Sequence, residues 1–337
     1  MEMSSIGDLS RGLMMRRQQS ALKTEISALS AALATGQKQD LRSDLRGDFG
    51  PLAAMNQRLG VLDAYDHAVG EAAAFFGTVQ AALGALGDGA QEVGRALAAS
   101  GGSLTPSTLD IHADQANSLF DQAVGWLNTQ VAGRSLFAGA ATDGPALEPA
   151  ADIRAALAAE VAGLTTAGDI RDAVRGWFHT PGGGFETLAY RGSPQPAGPL
   201  VLALGEKVEQ PVLASDPALR ELLCGLALAS FVGEDGGLGL GAGERSALAG
   251  MAGNTVLDAA QGVILLGASV GMGEALIESI GAANAAERVS LQAARNRLTA
   301  ADPYETATAL EQAQTRLETL YAITARLSRL SLADYLS

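Results

Sequence analysis

Apolar residues recur every seven positions between residues 55 and 97. Met55, Leu62, Val69, Phe76, Leu83, Ala90 and Leu97 form one seam; Tyr65, Ala72, Val79, Leu86 and Val93 form a second, with Arg58 the one exception. An a/d pattern held over about six heptads predicts a long helix of a coiled coil or bundle. At 1.5 Å per residue it would run on the order of 60 Å. Gly84, Gly87 and Gly89 lie inside it. They predict a bend or fraying, because glycine loses the most backbone freedom in a helix. Upstream, Ile6, Leu9 and Leu13 share one helical face. Leu22, Ile26, Leu29 and Leu33 share another, which predicts a phase break near Arg16–Gln19. Thr35-Gly36 reads as a stop, and a polar run from 37 to 50 is closed by Pro51.

Beyond the heptads, Gly101-Gly102 reads as a turn. Thr105 then caps a helix with Pro106 at its first position. Its seam runs through Leu109, Ala113, Ala116, Phe120, Ala123 and Leu127 and stops at Gly133. Two long helices joined by a short turn predict an antiparallel hairpin. Near Gly139 the composition shifts. Residues 145–240 are rich in Pro and Gly, with patterned runs at Thr187–Tyr190 and Leu200–Leu204 and helical stretches at Asp152–Val161 and Pro217–Ser230. They predict an inserted α+β domain with its own small core, left through a glycine-rich linker at Gly236–Gly243. A helical pattern resumes at Asn254 through Leu266, Val270, Ile277 and Ile280, broken by Gly262, Gly267, Gly271 and Gly273. The last helix opens on Asp302-Pro303 with Glu305, a good start signal. Leu310, Ala313, Leu317, Leu320, Thr324 and Leu327 follow. The expected fold is mainly α: long N- and C-terminal helices forming a coiled-coil or helical-bundle rod, with a smaller α+β domain in the middle.

Composition supports this. The chain of 337 residues is 47% hydrophobic but 4% aromatic, so core volume must come from Ala, Leu, Val and Ile. Those side chains suit closely packed helices. A net charge of −14 repels phosphate and makes nucleic acid a poor partner. Cys224 is the only cysteine, which excludes an intramolecular disulfide and reads as a small buried hydrophobe. His67, His112 and His179 stand far apart, without metal-ligand spacing. Neither metal nor cofactor is expected. The N-terminus carries an acid at position 2 and no apolar run of signal-peptide length. The longest apolar run, Leu222–Val232, is too short to span a bilayer, so no membrane insertion is expected.

One catalytic motif needs weighing. Gly267-Ala268-Ser269-Val270-Gly271 matches the G-x-S-x-G nucleophile elbow after Val263-Ile264-Leu265-Leu266. That fold places its histidine after the serine, whereas all three histidines here precede Ser269. The glycines from Gly237 to Gly243 lack dinucleotide spacing, and Gly182–Gly184 lacks the lysine of a P-loop. No catalytic, cofactor-binding or metal-binding residue is assigned.

The C-terminal run from Leu298 to Leu336 resembles the closing segment of flagellins and flagellar hook-associated proteins. Asp302, Leu310, Gln314, Leu317, Tyr321, Ser331, Leu332, Tyr335 and Leu336 carry the likeness. Gly133-Arg134-Ser135-Leu136-Phe137-Ala138-Gly139 is similar to the G-x-x-L-F-x-G turn that leads into the outer domain of that family. Tyr190-Arg191-Gly192 and Gly205-Glu206 are similar to two further pieces of it. Gln39–Arg46 departs from the run that follows the first helix of true flagellins. That departure, the G-x-x-L-F-x-G turn and the short insert favour the hook–filament junction type, with a minor flagellin as the alternative and a cytoplasmic coiled-coil export adaptor as a second.

The resemblance implies a structural, non-enzymatic subunit located outside the cell on the bacterial flagellum, exported by the flagellar type III route without a cleaved signal. It implies a terminal domain (1–40 and 300–337) that is mobile in the monomer, a helical rod domain (41–144 and 241–299) and an outer domain (145–240). Implied partners are the first hook-associated protein, flagellin, further copies in a ring, and a cytoplasmic export chaperone. Assembly would bury Leu22, Ile26, Leu29, Leu33, Leu310, Leu317, Leu320, Leu327, Leu332, Tyr335 and Leu336.

Overall fold

A computed structural model describes residues 3–99, 105–210 and 212–336, with side chains except at 3–9, 11, 43–44, 235 and 327–336. The helices are α1 (Met3–Thr35), α2 (Leu41–Asp44), α3 (Gly50–Ala98), α4 (Pro106–Leu127), α5 (Ala150–Glu160), α6 (Ala167–His179), α7 (Pro217–Ser230), α8 (Ala242–Thr299) and α9 (Pro303–Leu336). Two small antiparallel hairpins complete the described structure: β1 (Gln130–Val131) with β2 (Arg134–Ser135), and β3 (Leu200–Ala203) with β4 (Glu206–Val208). The protein is mainly α, with long helices and a small share of sheet, as the periodicity predicts. The Gly101-Gly102 turn lies outside the described residues.

The chain divides into two compact units, one of residues 1–61 and 286–337, the other of 62–285. In the second unit, the heptad positions Leu62, Phe76, Leu83, Ala90 and Leu97 are all buried, as are Ala72, Val79, Leu86 and Val93. The seam is therefore an internal core. The expected fraying at the glycines does not occur, and α3 is continuous through them. Their missing side chains serve close packing instead. A Cβ on Gly89 would meet Leu119 at 2.7 Å, and one on Gly94 would meet Leu257 at 2.9 Å. The glycines of α8 behave alike: Gly253 faces the backbone of Ala98, Gly262 faces Ala218 and Gly273 faces Phe76. These contacts run in opposite senses along α3 and α8, so the two helices pack antiparallel. Helix α8 starts at Ala242, twelve residues before the periodicity became legible.

Helix α4 has the expected Thr105 cap and Pro106 start. It stops at Leu127, short of the expected Gly133, because Asn128 is engaged elsewhere. The Asn128 amide donates to the Leu147 carbonyl at 2.9 Å and accepts from the Leu147 N–H at 2.8 Å. The chain then forms the β1–β2 hairpin, with Ala132 and Gly133 at positive φ. Leu136, Phe137 and Ala138 are buried just beyond it. Gly139 has φ +62, and a Cβ there would lie 2.4 Å from the Gln195 carbonyl. The N–H groups of Ser193 and Ala214 donate to the carbonyls of Ala138 and Phe137 at 2.8 and 2.9 Å. Gly192 abuts the Ala138 carbonyl on one side and the Tyr190 ring on the other. The family-like turn at 133–139 and the Tyr190-Arg191-Gly192 piece thus meet in space.

The middle segment does not keep a core of its own. Its buried residues, including Ile153, Ile170, Phe178, Phe185 and Leu202, join those of α3, α4 and α8 in one cluster. Helix α7 is buried on every side from Leu222 to Ser230, as an all-apolar helix must be. Two local elements differ from the sequence reading. Thr187–Tyr190 is not a strand; it falls mostly in a π-helical turn, Phe185–Ala189, closed by Tyr190 N–H donating to the Phe185 carbonyl. Packing of the Phe185 ring against Phe178 and Tyr190 selects that turn. Helix α6 stands where the sequence reading placed no element, although Thr166 caps it and Ile170, Val174 and Phe178 keep helical spacing. Arg245, 6% exposed, ties the start of α8 to its neighbours: it donates to the Val232 carbonyl at 2.7 Å and to Asp110 at 2.5 Å. The Glu234 N–H, with Arg245 adding to it, holds the Asp110 carboxyl below its usual range.

Candidate assembly interface

In the first unit, α1 runs unbroken from Met3 to Thr35, so the expected phase break is a change of face within one helix. Leu13, on the earlier face, is 49% exposed. Ile6 and Leu9 have side chains outside the described ones. Gly36 then turns the chain at φ +68. Its carbonyl accepts from the Ala301 N–H at 3.0 Å, and Lys38 N–H donates to the Thr299 carbonyl at 2.9 Å. This bridge places the end of α1 beside the start of α9. Asp302 caps α9, its Oδ1 accepting from the N–H groups of Tyr304 at 2.8 Å and Glu305 at 3.0 Å. From there the two helices diverge in number: Ala32 lies near Thr306, Leu22 near Thr319 and Met15 near Thr324. They form an antiparallel pair. The same unit holds a bidentate ion pair, Arg58 donating to Glu287 at 2.6 and 2.7 Å. That pair accounts for the single polar interruption in the heptads.

The predicted interface residues sort by burial. Leu22 is buried; Ile26, Leu29, Leu310, Leu317 and Leu320 are half-buried; Leu33 is 43% exposed. Leu327, Leu332, Tyr335 and Leu336 belong to α9, but their side chains lie outside the described ones. Small residues that the expected interface omitted, Ala32 and Thr306, are buried with Ala313 where the helices approach. Alanine at helical spacing between leucines is the signal for that approach. Two helices alone cannot enclose a seam. The pair keeps two open grooves of about 360 and 570 Å³, with Leu29 and Ala32 on the first and Met15 and Leu320 on the second. Tyr321 and Ile323 are 45% and 46% exposed on α9. Hydrogen bonds from Gln19 and then Lys23 of α1 draw the Tyr321 phenol below its usual value.

Other candidate chemistry resolves into structure. Ser269 sits within α8, where the elbow would need a strand and a turn, and its hydroxyl donates to the Leu266 carbonyl at 2.7 Å. Cys224 is fully buried, and burial pushes its thiol well above the usual range. Among the described residues no group of three His, Cys, Asp or Glu side chains could hold a metal ion.

No protein-family model matches this chain, and no curated protein matches its sequence. Its fold has a solved counterpart. A Vibrio parahaemolyticus structure described as a flagellar hook-associated protein is similar at a TM-score of 0.51 and 12% identity, over 73% of this chain and 95% of that one. At that identity the likeness is one of fold, which by itself does not carry function.

Proposed function

We propose that this chain is a structural subunit of the bacterial flagellum, a hook-associated protein that joins hook to filament and acts without catalysis. The observation that carries this reading is the half-covered apolar seam of the α1–α9 pair, on a fold shared with a flagellar hook-associated structure. Fully burying a leucine contributes about 1.5–3 kcal/mol. The half-exposed leucines of the pair therefore hold a reserve that only neighbouring molecules can draw on. Copies arranged in a ring, the first hook-associated protein below and flagellin above would supply those neighbours. Before export through the type III route, a cytoplasmic chaperone would cover the apolar face of α9.

The test is deletion of the gene, with a tagged copy restored and located on sheared flagella and in cell fractions. Hooks without filaments, with the tag in one band at the junction, are expected. Label along the whole filament would make the chain a flagellin. Label confined to the cytoplasm would make it an export adaptor.

A further inference from the structure

Helix α1 carries two apolar faces, and α9 covers one of them. Leu22 is buried where α1 meets α9. Leu13 stands nine residues earlier on the same unbroken helix. At about 100° per residue the two lie on opposite sides of it. Leu13 is accordingly 49% exposed, and Met14 is 72% exposed. Ile6 and Leu9 precede Leu13 at helical spacing, so the outer face is an apolar stripe in sequence. Arg16 and Arg17 follow one turn later, both exposed, as is Lys23. Tyr321 of α9, 45% exposed, lies beside Lys23. Charge sets this stretch apart. Residues 1–61 and 286–337 hold 14 of the 23 Lys and Arg but only 12 of the 37 acids, which leaves that unit at +2 and the other at −16. Within α1 four basic residues, Arg11, Arg16, Arg17 and Lys23, fall between Asp8 and Glu25 with no acid among them. On α9, exposed Arg316 and Arg326 flank exposed Glu318, the one acid from Gln312 to Arg326.

We infer that the outer face of α1 docks on an anionic lipid surface, Leu13 and Met14 entering the acyl boundary while Arg16, Arg17 and Lys23 meet the phosphates. The occupant must be apolar and negative at once, and it must suit a convex helix face. A helix whose apolar side chains are bordered by Arg and Lys lies in the headgroup plane in this way, without crossing the bilayer. The long basic side chains lay their methylenes along the apolar boundary and keep their charges at the headgroups. Screening at physiological salt limits each charge to a range of about 8 Å, so the face acts through its own residues rather than through the net charge. A Lys or Arg near an anionic surface strengthens binding about fivefold. Leu13, Arg16 and Arg17 are not among the residues expected to assemble, and the inference stands apart from the reading under Proposed function.

The test is flotation of the purified full-length chain with vesicles of phosphatidylcholine and phosphatidylglycerol, against vesicles of phosphatidylcholine alone. Binding about tenfold stronger or more to the anionic vesicles is expected, weakening as salt rises. Arg16→Glu combined with Arg17→Glu should abolish that preference and leave the helical circular dichroism unchanged, since both side chains are exposed. Leu13→Ser keeps the charge and should weaken binding roughly fivefold. Arg95→Glu combined with Arg134→Glu, both exposed in the second unit, makes the same change in net charge and should leave binding intact. Equal binding to both kinds of vesicle, or none to either, would overturn the inference. An equal loss in the Arg95 and Arg134 variant would make the attraction one of net charge and overturn it too. Retention on immobilised polyglutamate without flotation would give the face to an acidic polypeptide. A dimer in sedimentation that the Arg16 and Arg17 variant dissolves would give it to a second copy. Either result overturns the lipid assignment, and none of them touches the flagellar reading.

Discussion

At Gly139 the backbone turns with φ +62, and the place a Cβ would take is already held by the Gln195 carbonyl. Gly139→Ala combines a left-handed conformation with that collision. A non-glycine residue in this region costs about 1–3 kcal/mol. Thermal denaturation of the full chain should show the corresponding loss, roughly 2–4 °C per kcal/mol for a unit of this size. Glu287 gives a second prediction at this scale. Its hydrogen bonds from Arg58 hold its carboxyl below the ordinary glutamate value of about 4.5. The unfolded chain then binds the extra proton first as the solution is acidified, so the pair stabilises the fold above 4.5 and loses that effect as pH falls through the depressed value. Arg58→Met should flatten this part of the stability–pH curve, which denaturant titrations between pH 6 and 3 would register. The mutant should match the wild type most closely at the acid end.

Helices α1 and α9 show what an amphipathic element does without a full set of neighbours. Each presents a leucine seam, and two such seams facing each other leave their flanks open. Leu317 lies half-buried on α9. Leu317→Asp would place a carboxylate where a neighbouring subunit should bury a methyl group. A loss of about 1.5–3 kcal/mol per contact is a factor of ten or more in association. Filament number per cell, counted by microscopy, should fall at least tenfold, while the near-ultraviolet circular dichroism of the purified protein stays unchanged. Wild-type motility in this variant would remove α9 from the assembly surface. Helices α3 and α8 make the opposite case. Their glycines look like helix breakers in sequence, but in the fold they are points of closest approach, where a side chain would collide.

For the whole molecule, the division into residues 1–61 with 286–337 and residues 62–285 predicts two unfolding transitions in calorimetry. The larger unit holds the continuous buried cluster and should melt at the higher temperature. Phe76→Ala removes a ring that is 1% exposed and should cost about 3–5 kcal/mol. Only the higher transition should move, and a single transition shifted as one would show that the units unfold together. Phe76, Phe120, Phe137, Phe178 and Phe185 are all fully buried in the larger unit.

The sequence by itself determined the helices with sustained periodicity and clear ends. The heptads of α3, the Thr105-Pro106 start of α4, the limits of α7 and the Asp302 cap of α9 are all local signals, carried by residues a few positions apart. It also marked Gly133–Gly139 and Tyr190–Gly192 as similar to pieces of one family, without showing that they touch. Only the tertiary structure decided which apolar seams face inward. A heptad says that a face is apolar and not what covers it; α4 and α8 pack against α3, while α1 and α9 pair with each other. Tertiary packing likewise chose the π-turn at Phe185 over a strand, ended α4 at the Asn128–Leu147 bonds, and drew the middle segment into the common core. Each of those outcomes depends on partners distant in the chain, and burial against a distant partner outweighs the small energies of local preference.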